Sequence, residues 1–505
     1  MIDGTFRQQL KTALDRDRRR WRVWRRRVVA AASAVLLVLA MGFVWQYRHS
    51  CDSTAGLFRT GLTGRCFGIT DGSHVFAEDL RGIERLIREE NRAVEKSSQY
   101  VTIAFYTPMV PEPGDTTSPA SVVHDLEGAY LAQWRANHET AALPHIRLAL
   151  ADPGHRAEYW QQVAHGLEKM ANGKDRLVAV AGLGNSTEET RRLIEELSRN
   201  NIPMVGSVIT STELNGTKFR GVARVAPDNR DEAQAAVNSL SQTDRVALLV
   251  QDMSNTDNYV KTLGEEFHRQ FVQRSGRPHL DTETYHSELP NAAGRFTRIV
   301  GDICTKRSRT VYFAGRGISL GDFVRALGDR TCTDFPVSVM TGDDATQIGP
   351  DADGRISAAL GKGVSVKYTA LAHPDMWRNE PTSREAQNYA AFRRACDKAD
   401  LGGLLTRSTF DDGQFIMAHD ALLVAVQAIR ASVGQGSVVP STGDVLQNLI
   451  GGLQMVPGAS GFIDIEQNTG NPRNKPVPIV QLRADDTTAF VELAWPDGGP
   501  PAVPR

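Results

Sequence analysis

Several polar side chains come directly after short apolar segments of the kind that form buried strands. At the carboxyl ends of parallel strands, such side chains could hold a small polar molecule by hydrogen bonds and charge. The same residue types also cap helices and form turns, and Ser186 with Glu189 fits a capping box. Both interpretations stay open for the nine candidates, which are Tyr106, Asn185, Ser186, Thr210, Ser211, Asn255, Thr256, Arg316 and Asp343.

Motifs of catalysis are missing from the chain. The sequence contains no Walker A lysine loop, no HExxH and no GxSxG, and 182–184 supplies only part of a dinucleotide-binding glycine fingerprint. No Cys/His spacing is typical of a metal site. We therefore expect a protein that is not an enzyme and that needs no cofactor and no metal.

The elements that would position these side chains alternate between strands and helices. Helices are predicted over 158–172, 186–200, 258–275 and 411–432, between or after the strand candidates. This alternation predicts an α/β fold with parallel sheets, in two blocks over about 100–225 and 243–334. The strand candidates are 100–108, 145–152, 176–183, 202–209, 245–252, 309–316, 335–342 and 364–372.

The N-terminal region predicts a membrane anchor. Residues 28–45 are apolar and uncharged, and the 27 residues before them hold ten Lys or Arg. Such a run is long enough to cross a bilayer, and its basic flank favours the cytoplasm. We expect cytoplasmic residues 1–27, one transmembrane helix over 28–47, and the bulk of the chain outside the cell membrane. A cleaved signal peptide and a lipidated Cys51 are the alternatives. Both would need small residues before the cleavage site, and none stand out there.

Cysteines and charge fit an extracytoplasmic setting. Cys51 with Cys66, and Cys304 with Cys332, are candidate disulfides, while buried free thiols are the alternative and Cys396 is left over. The formal net charge is −1, with ten of the positive charges before the apolar run. The outer portion is therefore mildly acidic, which argues against binding of nucleic acid.

An ordered set of segments resembles the type I periplasmic solute-binding proteins, and within them the receptors for leucine, isoleucine and valine. The resemblance covers roughly 99–490. It rests on several segments in the family's order, namely GAYLA (128–132), VAVAGLGNSTEET (178–190), IPMVGSVITSTEL (202–214), GVARVAPDNRDEAQAA (221–236), RVALLVQDMSNTDNY (245–259), TVYFAGRG (310–317) and HDALLVAVQAI (419–429).

The resemblance implies two Rossmann-like lobes joined by three crossovers, with ligand between them. Lobe 1 would take about 99–225 and part of 345–435, and lobe 2 about 226–344 and the late C-terminal part. Residues 48–98 would be a linker with the Cys51/Cys66 loop and a helix, and 491–505 a disordered tail.

The family also implies roles for single residues. Thr210 and Ser211 match positions that hold an amino acid's α-carboxylate, and Asp343 lies near the acid that binds its ammonium group. Arg316 stands where the family often has an aromatic residue, which suggests an anionic group on the ligand or a surface charge.

The expected function is capture of a small amino acid-like solute, most simply for an ATP-driven ABC importer with its permease as partner. A tether suggests a cell without an outer membrane, such as an actinobacterium. The alternative is a membrane-anchored sensor or interaction module whose cleft has degenerated.

Overall fold

The computed structural model describes residues 21, 24–25, 27–39, 41, 51, 56–59, 65–140, 142–240, 248–276, 280–406, 408–434, 439–485 and 487–500. The chain divides into two compact units, Met1–Cys66 and Phe67–Arg505. In the first unit, residues 27–39 are helical (α1), Leu57–Arg59 form a short strand (β1), and Cys51 is disulfide-bonded to Cys66.

The predicted anchor lies partly outside the described residues, because 40 and 42–47 are among those not described. Within the described part of the chain, no helix combines the length and apolar character that crossing a membrane requires.

Two α/β lobes make up the second unit. The strands are β2 (Cys66–Thr70), β3 (Tyr100–Tyr106), β4 (His145–Asp152), β5 (Leu177–Gly182), β6 (Met204–Gly206), β7 (Val222–Arg224), β8 (Leu248–Asp252), β9 (Thr282–Tyr285), β10 (Thr310–Ala314), β11 (Val337–Thr341), β12 (Val364–Thr369), β13 (Val456–Gly458), β14 (Gly461–Ile463), β15 (Val477–Leu482) and β16 (Thr488–Ala494). The helices are α2 (Arg81–Val94), α3 (Pro119–His138), α4 (Trp160–Ala171), α5 (Glu188–Arg199), α6 (Asn229–Ser239), α7 (Asn258–Ser275), α8 (Ala292–Lys306), α9 (Gly317–Gly328), α10 (Arg355–Gly361), α11 (Arg384–Lys398), α12 (Gln414–Ala431) and α13 (Thr442–Ile450).

The first lobe is built on the strand order β2-β4-β3-β5-β6-β7, in which β3 to β7 run parallel and β2 is antiparallel to β4. The second has the order β16-β15-β12-β11-β10-β8-β9, parallel from β12 to β9 and antiparallel at β15 and β16. These sheets confirm the predicted two-lobed α/β architecture. The chain crosses between the lobes after β7, after β12 and before β15.

The segment expected as a linker contributes to the first lobe. Strand β2 pairs with β4, with Gly68 opposite Asp152, and Leu86 and Ile87 of α2 are buried in the core of that lobe. Ile83, Leu86 and Ile87 recur at helical spacing and give α2 one apolar face, which is buried against the core.

Helices α3 and α12 pack closely at the centre of the first lobe. A Cβ atom at Gly128 would overlap the carbonyl oxygen of Phe415, so only glycine permits this approach. Both helices are buried on most sides, with Val122, Leu126 and Leu422 fully inside the core. This packing fixes the N-terminal turns of α3 beside the gap between the lobes.

In the second lobe, Cys304 is disulfide-bonded to Cys332, so both predicted disulfides are confirmed. The bond joins the end of α8 to the segment between α9 and β11. Cys396 is a buried free thiol on α11.

Candidate functional site

Two adjoining spaces lie between the lobes, at the carboxyl ends of the strands. The outer cavity has a volume of about 290 Å³, and its walls include Tyr106, Asn185, Glu189, Thr256, Glu288 and Ile318. The inner chamber has a volume of about 20 Å³ and includes Asp125, Ser186, Asp343, Asp344 and Gln347. Thr116, Thr117, Gly184, Asn185 and Arg316 belong to both walls, so the two spaces are adjacent.

Backbone hydrogen bonds join the lobes on one side of these spaces. The Tyr259 amide donates to the Ser186 carbonyl oxygen at 3.1 Å, and the Glu188 amide donates to the Thr256 carbonyl oxygen at 3.0 Å. On another side, the Gln347 side chain accepts from the Ser118 amide at 3.0 Å. The cleft is therefore closed along both flanks of the inner chamber.

Arg316 is a buried cation of the second lobe. Its Nε and Nη2 donate to both oxygens of Asp257, at 2.7 and 2.9 Å, and its Nη1 donates to Asp344 Oδ1 at 2.8 Å. The guanidinium carbon lies 4.4 Å from the centre of the Tyr259 ring, a cation–π contact. Two protein carboxylates thus balance the charge of Arg316, so its presence does not require an anion on a ligand.

Asp257 and Asp344 also accept hydrogen bonds from the backbone at helix N-termini. The Asp257 side chain caps α7 by accepting from the Tyr259 and Val260 amides, and Asp344 Oδ2 accepts from the Gly317 amide at the start of α9 at 2.7 Å. Carboxylates at helix N-termini are favoured by the free N–H groups and by the helix dipole. Asp257 is thus held by its own helix, whereas Asp344 is held by the start of a helix that precedes it in the chain.

Of the three first-lobe hydroxyls, those of Ser186 and Ser211 are hydrogen-bonded within the protein, whereas Thr210 Oγ1 is buried without a partner among the described residues. Ser186 Oγ accepts from the amides of Thr210 and Ser211 at 3.0 and 3.2 Å, which ties the loop after β5 to the loop after β6. Ser211 Oγ accepts from Thr262 Oγ1 at 3.3 Å. Thr210 and Ser211 line neither space as described, so their predicted contact with a carboxylate remains a prediction.

The capping box predicted over Ser186 and Glu189 is wrong. The N-cap of α5 is Thr187, whose side chain accepts from the Thr190 amide, because Ser186 is committed to the loop after β6. Glu189 is thereby left to face the outer cavity.

Other candidates divide between cavity wall and surface. Tyr106 is fully buried at the end of β3 and lines the outer cavity, and its hydroxyl has no partner within the described part of the chain. Asn185 donates to Thr116 Oγ1 and Thr117 Oγ1, both at 2.8 Å. Thr256 donates to Glu288 Oε1 at 2.7 Å in the outer cavity, whereas Asn255 is exposed and lines neither space.

Two carboxyl groups in the inner chamber have raised pKa values. Burial, with the nearby charge of Asp344, raises the pKa of Asp343 to about 7 although Arg316 opposes this. Burial, with a contribution from Asp412, raises the pKa of Asp125 well above its usual range. Asp125 was not among the sequence candidates, and neither were Thr116, Thr117, Glu189 and Glu288.

No family model matches the chain, and no curated protein matches its sequence. Solved structures do resemble it. A leucine-binding protein from Thermotoga maritima aligns with a TM-score of 0.58 at 18% identity, over 79% of this chain and 99% of that one. A branched-chain amino acid transporter substrate-binding protein from Streptococcus pneumoniae, in complex with isoleucine, aligns with a TM-score of 0.56 at 13% identity, over 78% and 99%.

A solute-binding protein from R. palustris in complex with 4-hydroxybenzoate gives a TM-score of 0.56 at 13% identity, over 78% of this chain and 96% of that one. These structures are type I periplasmic binding proteins, and they are binding proteins rather than enzymes. At such low identity the likeness shows a shared two-lobed fold and leaves the ligand open.

Proposed function

We propose that this protein is an extracytoplasmic solute-binding protein that captures a small polar ligand between its two lobes. The outer cavity carries this proposal. Its walls come from both lobes, with Tyr106 and Asn185 on one side and Thr256 and Ile318 on the other. A ligand that contacts both walls stabilises the closed arrangement, which is how hinge closure captures a solute.

The chemistry of the cavity suits a small amphipathic molecule. Its volume of about 290 Å³ lies at the small end of the range for ligand pockets. Pro108, Pro111 and Ile318 supply apolar surface, while hydroxyl, amide and carboxyl groups offer hydrogen bonds. An amino acid or a related compound has this combination of properties.

We further propose that the captured solute is delivered to an ABC importer, with the permease as the protein partner. The structural neighbours from Streptococcus pneumoniae and R. palustris are named as transporter components. The transmembrane helix predicted over 28–47, with its basic flank, would hold the binding unit at the cell membrane with the N-terminus in the cytoplasm.

Thermal unfolding of the purified full-length protein against a panel of amino acids, amines and small organic acids tests ligand capture. A ligand that binds only the folded state at about a hundred times its dissociation constant adds roughly 2.7 kcal/mol of stability. We expect an upward shift of the midpoint with one chemical class.

A matched pair of variants places the binding in the cleft. Ile318→Trp fills part of the outer cavity and should abolish the shift, whereas Leu289→Trp, on an exposed residue of the same lobe that lines neither space, should retain it. A ligand shift that survives Ile318→Trp would place the ligand elsewhere and contradict capture between the lobes.

The second candidate function is a sensor or interaction module with a degenerate cleft. One observation favours it, namely that Arg316 already has two carboxylate partners inside the protein. A cooperatively folded sample that shows no shift with any compound in the panel would support this alternative over solute capture.

A further inference from the structure

Two buried carboxyl oxygens in the inner chamber have no hydrogen-bond donor among the described residues. Asp125, on α3 of the first lobe, is 5% exposed, and its Oδ1 has no hydrogen-bond partner within the described residues. Asp343 Oδ1, at the end of β11 in the second lobe, is also buried without a partner there. Both residues line the inner chamber.

The positive side chains of the two walls are already paired. Arg156 Nε lies 2.8 Å from Asp115 Oδ1, and Arg316 is held by Asp257 and Asp344. These are the two cationic residues among the residues that line the described cavity and chamber. Both are therefore engaged in ion pairs with carboxylates other than Asp125 and Asp343.

The outer cavity adds two more carboxyl groups without a cationic partner in the described structure. Glu189 faces the cavity from the first turn of α5, and Glu288 accepts hydrogen bonds from the Ser254 and Thr256 hydroxyls. The hydrogen bonds from Ser254 and Thr256 lower the pKa of Glu288, so this group is ionised at neutral pH. Carboxyl groups therefore line both the inner chamber and the outer cavity.

The dimensions fit an amine better than a larger group. A chamber of about 20 Å³ holds one group the size of a water molecule, and an ammonium head has that size. Thr116 and Thr117 contribute hydroxyl oxygens to the same wall. An alkyl chain attached to the ammonium group would pass into the outer cavity, where Pro108, Pro111 and Ile318 offer apolar contact.

We infer that the cleft selects an organic cation with a primary ammonium group, which enters the inner chamber between Asp125 and Asp343. A second positive charge on the ligand would face Glu189 and Glu288. This inference rests on the proposed function and names its ligand class, which differs from a neutral amino acid. Because the two carboxyl groups belong to opposite lobes, the bound ammonium group would join the lobes by charge-assisted hydrogen bonds.

Four compounds with a four-carbon chain test the inference on the purified full-length protein by calorimetric titration at pH 8. They are 1,4-diaminobutane, butylamine, 4-aminobutanoate and butanoate, and they differ chiefly in their charges. We expect the tightest binding for the diamine, then the monoamine, with the zwitterion weaker and the anion without measurable binding.

Charge-neutral variants then locate the interaction. Asp125→Asn and Asp343→Asn preserve side-chain shape, and each should weaken diamine binding at least about tenfold, since each removes a buried partner of the cation. Asp397→Asn removes an exposed carboxylate from α11 of the first lobe and should leave the affinity unchanged. Having two variants, one in each lobe, keeps the test valid if one of them folds poorly.

Failure of the inference can be told from failure of the proposed function. Tighter binding of 4-aminobutanoate or of leucine than of the diamine, unaffected by Asp125→Asn and abolished by Ile318→Trp, would overturn the inference and retain solute capture. A response to calcium chloride but to none of the amines would also overturn it. Absence of binding by every compound, neutral amino acids included, would remove both.

Discussion

Two groups of buried charged residues in this molecule differ in how completely their hydrogen bonds are satisfied. At the third crossover, Asp420 of α12 accepts from the Ala459 and Ser460 amides at 2.8 and 2.9 Å, from the Ser460 hydroxyl and from His419 Nδ1 at 2.8 Å. Lys475 Nζ donates to Ser460 Oγ at 2.8 Å. In the inner chamber, by contrast, Asp125 and Asp343 each keep one buried oxygen without a described partner.

The difference separates a structural role from a binding role. Although burial alone would raise it, the hydrogen bond from His419 and the charges of His419 and Lys475 hold the pKa of Asp420 below its usual value. At Asp343 burial prevails and the pKa rises to about 7. A buried charge with all of its partners stabilises the fold, whereas one that faces a cavity with a free oxygen is available to a ligand.

The largest effect is expected when the satisfied group is broken. Asp420→Ala should lower the free energy of unfolding by about 3–5 kcal/mol, because Lys475 and two backbone amides lose their buried partner. Urea unfolding measures this, with the exposed Asp397→Ala as the control, for which we expect a change within about 0.5 kcal/mol. A loss below about 1 kcal/mol at Asp420 would show that the crossover cluster contributes little to stability.

Arg316→Met should lower the stability of the protein and raise its affinity for a cation. Removing the guanidinium leaves Asp257 and Asp344 without their cation, which should cost about 3 kcal/mol of stability. The same change adds negative charge to the cleft, so affinity for 1,4-diaminobutane should rise. Unfolding and calorimetric titration of the same sample report the two effects, and a fall in both would mean that Arg316 positions the ligand rather than opposes it.

Most elements could be predicted from local sequence, and the reason is visible at their ends. Residues 258–275 were predicted as a helix and form α7, since Asp257 caps its start and Gly276 adopts a left-handed conformation at its end. Strand β4 likewise spans the predicted His145–Asp152. Strand β6 is only Met204–Gly206 within a predicted 202–209, because apolar residues that follow a strand can line a buried loop and give the same pattern.

The inner chamber was harder to predict. Asp125 lies inside a helix, where an acidic residue ordinarily faces solvent, and only the tertiary packing of α3 against α12 turns it towards the cleft. One local indication existed, since α3 has apolar and small residues on nearly every side, and a helix of that kind is buried all round. The partners of Arg316 could not be predicted, because three loops after β8, β10 and β11 bring them together.

Asp343 should make stability depend on pH in a way that Asp343→Asn removes. Its pKa is about 7 in the folded state and 3.8 as the ordinary value, so the folded protein binds more protons than the unfolded chain between these limits. Stability should therefore decrease as pH rises from about 4 to 7, with a slope of up to about 1.4 kcal/mol per pH unit from this group. Urea unfolding at several pH values measures the slope.

The charged and titratable groups around Asp343 include Asp344, Arg316, Tyr259, Tyr312 and Glu232. Burial and the charge of Asp343 raise the pKa of Glu232 well above its usual value. Asp343 and Glu232 therefore titrate together, and the slope belongs to the pair. Asp343→Asn should flatten the slope of stability against pH, and an unchanged slope would assign the slope to Glu232.

The affinity for the diamine should rise from pH 6 to pH 8, whereas stability falls as the pH rises. The reason is that binding of a cation displaces the proton.

The smallest effect is expected at the mouth of the outer cavity. Glu189 is partly exposed on α5, so solvent and salt screen its attraction for a cation. Glu189→Gln should weaken binding of 1,4-diaminobutane by about two- to fivefold at low salt and by less at 0.5 M sodium chloride. The loss caused by Asp125→Asn should change little over the same salt range, because Asp125 is buried. Equal salt dependence for the two variants would mean that the two carboxyl groups are equally exposed to solvent. It would contradict a distinction between the inner chamber and the mouth.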